Sequence, residues 1–297
     1  MLSAVVHTYN EESNIELCLR SLDFVDEIVI VDMGSTDRTC KIAEKFKTKI
    51  YNHPYTGFVE PARNFGISKT TGDWIIIIDS DEEIPTSLAS FLLKEIKNTK
   101  GNYFRIPRKN IIFGKWMKHT GWWPDYQIRL FKRGCVTWTE KIHGVPITKG
   151  EGVDIPSDEI LNIIHHHYQS VEQYITRLNR YTSISAKESY LANNKFYKKD
   201  LFEVPVKEFV NRYFVWEGYK DGVHGLALSL LQSISELITV LKIWELDGFK
   251  KDRITFTELQ NHFDFEYRTK RYWIIEELLK LPQNFLSRII LKLKRKF

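Results

Sequence analysis

The sequence has few cysteines and lacks the glycine-rich loops by which many enzymes hold phosphate. Three cysteines, Cys18, Cys40 and Cys135, are odd in number and widely spaced. This pattern excludes a disulfide framework and a cysteine-based zinc site, and it fits a reducing cytosol. Neither Gly-x-Gly-x-x-Gly nor Gly-Lys-Ser/Thr occurs after the first apolar segment, so both common phosphate-binding motifs are absent. The first residues lack a basic stretch and a long apolar run, so we expect no signal peptide.

Positive charge is concentrated near the C-terminal end of the 297 residues, which carry a formal net charge of +5. Residues 268–297 contain nine Lys and Arg against two Glu. In the tail, 283–297, apolar residues recur at helical spacing among bases: Phe285, Leu286, Ile289, Ile290 and Leu293. This pattern is typical of a helix on an anionic membrane surface. Alternatives are an amphipathic helix packed on the protein, and a nucleic-acid contact. We favour the membrane and expect no nucleic-acid partner.

Short apolar segments alternate with helical patterns in the first part of the chain. Strands are predicted at 2–6, 27–32, 49–51 and 74–78, with helices at about 14–22, 36–46 and 62–69. Strands that are apolar on both faces indicate a mostly parallel sheet covered by helices, an α/β fold. Helical patterns dominate after residue 169. We therefore predict an α/β domain at 1–169 and a helical region at 170–297. The apolar segment 223–244 is interrupted by polar residues, which favours a buried or interfacial helix over a membrane span.

Polar side chains follow the ends of the predicted parallel strands, where ligands bind in such sheets. The sharpest group is Asp79-Ser80-Asp81, which ends a run of four isoleucines and precedes Glu82 and Glu83. Carboxylates suit Mg²⁺ or Mn²⁺, and crowding this many of them is costly without a cation. The loop after the first strand is acidic and cannot grasp phosphate directly. A cation on Asp79 and Asp81 would supply the missing charge, although a solvated acidic turn is the alternative.

Four linked motifs resemble the inverting glycosyltransferases of family 2. They are Val5-Val6-His7-Thr8-Tyr9-Asn10-Glu11, Ile30-Val31-Asp32-Met33-Gly34-Ser35-Thr36-Asp37, Ala62-Arg63-Asn64-Phe65-Gly66, and Gly72-Asp73-Trp74 leading into Asp79-Ser80-Asp81-Glu82. Two later segments, 121–131 and Asp221-Gly222-Val223-His224-Gly225, resemble the bacterial branch that adds sugars to the lipopolysaccharide core. The resemblance implies a GT-A fold, with a Rossmann-like sheet in the first domain, and transfer of a sugar from a nucleotide-diphosphate donor.

The resemblance also implies roles for matching residues. The nucleotide-sugar would contact Thr8, Tyr9, Asn10, Glu11, Asp32, Arg63, Asp79, Ser80 and Arg129. The metal, Mg²⁺ or Mn²⁺, would be held by Asp81 and Asp79, with His143 as a further ligand. An inverting reaction needs one base, and Asp125 is the candidate, because apolar neighbours in Trp122-Trp123-Pro124 would raise its pKa. His165-His166-His167 resembles a metal cluster, but a strand would point alternate histidines to opposite faces, so we favour a structural or acceptor-site role over zinc.

These features predict a metal-dependent glycosyltransferase that acts on a lipid-linked or oligosaccharide acceptor in cell-envelope synthesis. It would be cytoplasmic and peripheral on the inner face of the membrane. A nucleotidyltransferase that makes nucleotide-sugars is an alternative, although it would need a basic, glycine-rich loop after the first strand. A non-catalytic nucleotide-sugar-binding protein at the membrane surface is another.

Overall fold

The computed structural model describes residues 1–139, 144–282 and 284–296, which fall into two compact units. The first unit is Met1–Lys118 with Trp122–Val171, and the second is His119–Gly121 with Glu172–Phe297. His143, expected above as a metal ligand, lies outside the described residues.

The first unit is an α/β fold whose elements match the alternation expected from the sequence. In chain order they are β1 (Leu2–Thr8), α1 (Ile15–Arg20), β2 (Glu27–Asp32), α2 (Thr39–Ala43), β3 (Thr48–Asn52), α3 (Glu60–Ser68), β4 (Trp74–Asp79), β5 (Glu82–Glu83), α4 (Thr86–Asn98), β6 (Tyr103–Ile112), β7 (Lys115–Trp116), β8 (Asp125–Lys132), β9 (Val136–Thr137), β10 (Ile147–Thr148), β11 (Gly152–Asp154) and β12 (Ile163–Tyr168).

The main sheet has the order β3-β2-β1-β4-β8-β6-β12-β5, and β7 and β11 also pair with β6. The first four strands are parallel, whereas β8 is antiparallel to both β4 and β6. The predicted fold class is confirmed: a mixed, mostly parallel sheet with flanking helices, followed by a helical C-terminal region. Register places Thr8 opposite Asp32, and His7 opposite Asp79, so the carboxyl ends of β1, β2 and β4 lie side by side.

Hydrophobic cores on both faces of the sheet explain the isoleucine run in β4. Ile76 and Ile78 belong to one core, which also contains apolar residues of α1 and α4. Ile75 and Ile77 belong to the other, on the side of α3. Successive strand residues point to opposite faces, so a strand covered on both sides must be apolar at every position. A Cβ on Gly66 would lie 2.5 Å from Val5 Cγ1, so α3 approaches β1 at a distance that only glycine allows.

The second unit is helical. It contains α5 (Val171–Leu191), α6 (Asp200–Val210), a π-helical turn (Asn211–Val215), a 3₁₀ turn (Gly218–Asp221), α7 (Val223–Leu246), α8 (Phe256–Lys280) and α9 (Phe285–Lys296). In the part of the chain that the structure describes, α7 is the one helix whose length and composition would allow it to cross a membrane, with a mean hydropathy of 1.6 over 18 residues. Only 17% of those residues are buried.

The Asp221–Gly225 motif joins the 3₁₀ turn to α7. Buried Asp221 accepts a hydrogen bond from the His119 backbone N–H at 2.8 Å, and its other oxygen lies 3.1 Å from His119 Nδ1. Gly222 has φ +65°, which favours glycine. A Cβ on Gly225 would lie only 1.8 Å from the Gly218 carbonyl oxygen. The positive φ at Gly222 and the close backbone contact at Gly225 therefore favour glycine at both positions.

Candidate active site

The loops after β1, β2 and β4 meet at one edge of the sheet. Asn10, with φ +54°, donates its backbone N–H to Ser35 Oγ at 2.9 Å and accepts the Thr36 N–H at 2.7 Å. The Ser80 N–H donates to the His7 carbonyl oxygen at 3.2 Å. Three segments that are distant in sequence therefore form one rim, as the strand order requires.

Several residues expected to contact the nucleotide already have contacts within this rim. The Asp32 carboxylate accepts the backbone N–H groups of Gly34 and Ser35, each at 3.1 Å, and so shapes its own turn. Glu11 accepts the Asn14 side-chain amide at 2.7 Å, near the start of α1. Tyr9 instead stacks on an aromatic ring, that of Tyr55, with centroids 4.0 Å apart and an interplanar angle of 7°. Tyr9 and Glu11 are partly exposed, whereas Asp32 is buried.

Behind the rim, carboxylates and guanidinium groups form a buried ion-pair network. Asp79 contacts Arg129 NH2 at 2.6 Å and Arg63 NH2 at 3.2 Å. Fully buried Glu82 contacts Arg129 NH2 at 2.5 Å and Arg108 NH1 at 3.1 Å. Burial raises the pKa of Asp79, but Arg129 and Arg63 lower it well below its ordinary value of 3.8. Arginines therefore balance the charges of both Asp79 and Glu82.

Asp125 is the first residue of β8, and it is surrounded by donors instead of the expected apolar groups. Its Oδ2 accepts Arg108 Nε at 2.9 Å and the Asn110 amide at 3.2 Å, and its Oδ1 accepts the Gln127 amide at 2.8 Å. Burial raises the pKa of Asp125, but Arg108 and these hydrogen bonds lower it below 3.8 overall. The prediction of a raised pKa was wrong, because it considered only the tryptophans that adjoin Asp125 in the sequence. Arg108, on the adjacent strand β6, offsets the effect of burial on this pKa.

The three histidines of β12 point alternately to two sides, as predicted for a strand. His166 pairs with Glu83, whereas the rings of His165 and His167 lie on the other side with centroids 4.4 Å apart. Buried His165 contacts Asn110 Oδ1 through Nδ1 at 2.6 Å and faces Asp81 Oδ2 through Nε2 at 3.5 Å. Asn110 thus links His165 to the Asp125 carboxylate.

This arrangement leaves an acceptor atom of His165 facing a carboxylate. The Asn110 amide nitrogen donates to Asp125 and to the Trp122 carbonyl, so its oxygen must accept the Nδ1–H of His165. In a neutral imidazole, Nε2 then carries a lone pair, and it lies 3.2 Å from His167 Nδ1 and 3.5 Å from Asp81 Oδ2. The sequence analysis did not identify Arg108 or Asn110, and it did not place His165 near Asp81. Polar residues at inward-facing positions of β6 could have indicated that Arg108 and Asn110 belong to the site.

A divalent cation that arrives with a diphosphate fits this pair. Among the described residues, no three His, Cys, Asp or Glu side chains are grouped to hold a metal on their own. Mg²⁺ sites need only one or two protein ligands, because phosphates and water supply the others. Asp81 is one such carboxylate, with the His165 imidazole 3.5 Å from it, and Asp79 lies beside two arginines.

The fold and the rim agree with sequence comparison, since residues 3–147 match the model of glycosyl transferase family 2. The chain contains a glycosyl transferase family 2 domain. An uncharacterized glycosyltransferase of Rickettsia typhi is 26% identical over 82% of this chain and 87% of its own length. The lipopolysaccharide core biosynthesis glycosyltransferase LpsC of Rhizobium meliloti is 24% identical over 84% and 94%.

A crystal structure of glucosyl-3-phosphoglycerate synthase from Mycobacterium tuberculosis, with Mn²⁺ and UDP, is 25% identical over 37% of this chain. The match covers 44% of that solved chain, with a TM-score of 0.31. The family 2 domain makes the protein a glycosyltransferase, hence an enzyme, and favours neither the nucleotidyltransferase nor the non-catalytic alternative. Asp79-Ser80-Asp81 lies at the end of the central strand of this glycosyltransferase domain.

Proposed function

We propose that this glycosyltransferase moves a sugar from a nucleotide-diphosphate donor to an acceptor hydroxyl with inversion at the anomeric carbon. The proposal is supported by the link through Asn110, which joins His165, the neighbour of Asp81, to a candidate base, Asp125. Leaving-group stabilisation and proton removal need separate groups close together, and these residues supply both.

The donor would occupy the rim. Tyr9 and Asp32 border the space for base and ribose, with Thr8, Asn10, Glu11 and Ser80 in the adjoining loops. Thr8 Oγ1 and Arg63 Nη1 are buried and have no hydrogen-bond partner among the described residues. Mg²⁺ or Mn²⁺ held by Asp81 and His165 would balance the negative charge that develops on the departing diphosphate. Asp79 would act through Arg63 and Arg129, whose positions it fixes.

Asp125 would take the proton from the acceptor hydroxyl as that oxygen bonds to the anomeric carbon. The bond from this carbon to the diphosphate oxygen breaks on the opposite face, and the nucleotide leaves with the bonding electrons. The lowered pKa keeps Asp125 ionised at neutral pH, so it is ready to accept a proton. Arg108, Asn110 and Gln127 hold the carboxylate in place before the acceptor arrives.

The acceptor we propose is a lipid-linked glycan or an oligosaccharide of the bacterial envelope, in the lipopolysaccharide core. The support is the Rhizobium lipopolysaccharide core glycosyltransferase, which aligns along most of this chain. Such an acceptor would be met at the cytoplasmic face of the membrane, with the enzyme peripheral on an anionic surface.

The test separates donor binding from transfer. A panel of nucleoside diphosphates and nucleotide-sugars is first screened for thermal stabilisation with Mn²⁺, with EDTA as the reference. Asp125→Asn should abolish transfer and retain that stabilisation, whereas Asp81→Asn should lose the Mn²⁺-dependent part of it. Asp154→Asn is the matched control, because Asp154 is an exposed partner of Arg105. A near-normal transfer rate in Asp125→Asn would show that Asp125 is not the base. Equal stabilisation with Mn²⁺ and with EDTA would show that nucleotide binding does not depend on the cation.

A further inference from the structure

Helix α9 exposes a continuous apolar face. Phe285 is 81% exposed and Leu286 is 72% exposed, and Ile289, Ile290 and Leu293 are also exposed. At 100° per residue these five side chains fall within about 140° of one face of the helix. Leaving that much contiguous apolar surface in water is unfavourable, so such a face marks a binding surface.

The opposite side of α9 is the one that packs on the protein. Leu291 and Lys294 line a hollow with Ile274 and Leu278 of α8. Arg295 NH1 contacts Glu276 Oε1 of α8 at 2.6 Å. Leu291 lies about 170° around the helix from the centre of the exposed face. An ordinary amphipathic helix would turn its apolar face toward the protein, so the orientation of α9 argues against that alternative.

Basic residues border the exposed face. Arg288 and Lys292 lie along one edge of it. The sequence from 281 to 297 contains no Asp or Glu. An apolar face bordered only by cations is complementary to the anionic headgroups and acyl chains of a lipid surface.

We propose that α9 binds the surface of an anionic bilayer, with Phe285, Leu286, Ile289, Ile290 and Leu293 among the acyl chains. Arg288 and Lys292 contact the headgroups, and the contact of Arg295 with Glu276 lies on the side of α9 that faces α8. The inference names the membrane partner of the proposed function, but it rests on α9 alone and does not require glycosyl transfer.

The experiment measures co-sedimentation of the full-length protein with vesicles of phosphatidylcholine and phosphatidylglycerol, 3:1, and with phosphatidylcholine alone. Wild type should bind the anionic vesicles and be released by salt. Leu286→Ser/Ile290→Ser should bind at least tenfold more weakly, because two inserted side chains are lost. Arg288→Gln should weaken binding about fivefold, the loss expected for one base near such a surface.

The matched control is Leu191→Ser/Ile254→Ser, which removes two exposed apolar side chains outside α9 and should bind as wild type does. Circular dichroism checks that all variants keep their helices. Equal binding by wild type and Leu286→Ser/Ile290→Ser would overturn the proposal. So would a wild-type dimer in sedimentation velocity that this variant converts to a monomer without loss of vesicle binding. Mn²⁺-dependent stabilisation by nucleotides should be unchanged in the α9 variants, so a failure here is distinct from a failure of the proposed chemistry.

Discussion

Replacing Arg129 with methionine should destabilise the protein strongly, although the side chain was first expected to contact the donor. The guanidinium is 3% exposed and contacts Asp79 and Glu82 within 2.6 Å, and the Glu82 side chain is completely buried. Methionine fills much of the same volume without charge or donors. Two buried carboxylates would therefore lose a shared counter-charge.

The expected magnitude follows from what remains in the Arg129→Met variant. Breaking a buried ion pair by removing one partner costs about 3–5 kcal/mol. Asp79 keeps Arg63 and Glu82 keeps Arg108, so the lower end, about 3 kcal/mol, applies. In a unit of this size each kcal/mol lowers Tm by about 2–4 °C, which predicts a decrease of about 6–12 °C.

Thermal unfolding followed by tryptophan fluorescence measures this loss. Arg105→Met is the matched control, because Arg105 and Asp154 form the same kind of pair but are each about half exposed, at 49% and 48%. The control should cost less than about 1 kcal/mol. The pKa of Asp79 is lowered, so the stability that its ionised carboxylate contributes is present above pH 3.8. This stability is lost as the pH falls through the folded-state pKa of Asp79. The difference from wild type should therefore shrink in strong acid, and equal Tm losses in both variants would refute the reasoning.

Three further predictions test the helical unit, the sheet and the candidate base. Gly225→Ala should lower stability by about 2 kcal/mol or more in urea unfolding, because its Cβ would lie 1.8 Å from the Gly218 carbonyl oxygen; an unchanged midpoint would contradict this. Burial raises the pKa of Glu27, but hydrogen bonds led by Lys49 lower it to about 2. Glu27→Gln should therefore cost stability above pH 4.5, and the gap should close as the pH falls through about 2, whereas a pH-independent gap would exclude the linkage. Arg108→Gln should raise the pKa of Asp125 and move the acid limb of the transfer rate to higher pH; an unmoved limb would mean that Asp125 is not the titrating base.

Strands covered on both faces could be predicted from the sequence, and isolated polar contacts could not. The isoleucines of β4 make it apolar at almost every position, and that pattern by itself identifies a central strand. β5 has only two residues, Glu82 and Glu83, and pairs with β12, which is about 80 residues later in the chain. No local pattern marks such a strand. α6 continues through Pro205, with Val206 and Val210 buried, although proline usually ends or kinks a helix.

In the candidate site, too, the sequence predicts some positions but does not predict the contacts between them. The positions of Asp32 and Asp79 follow from strand order alone, because the ends of parallel strands share an edge. Their partners do not follow, because Arg108 and Arg129 come from strands that join the sheet after long connections. Asp125 was assigned a raised pKa from its sequence neighbours, yet its pKa depends on Arg108, its register partner on β6.

The buried arginines change what the acidic triplet can do. If Asp79 and Asp81 shared the same role, both would face a cation with their charge available. Instead Arg63 and Arg129 balance Asp79, while the two carboxylates of Asp79 and Glu82 keep those arginines fixed near the donor rim. Asp81 has a different neighbour, the His165 imidazole, whose Nε2 lies 3.5 Å from its Oδ2. Under the proposed function, Asp79 orders the arginines and Asp81 holds the cation, so substitutions at 79 and 81 should fail for different reasons: the first in stability, the second in metal-dependent nucleotide binding.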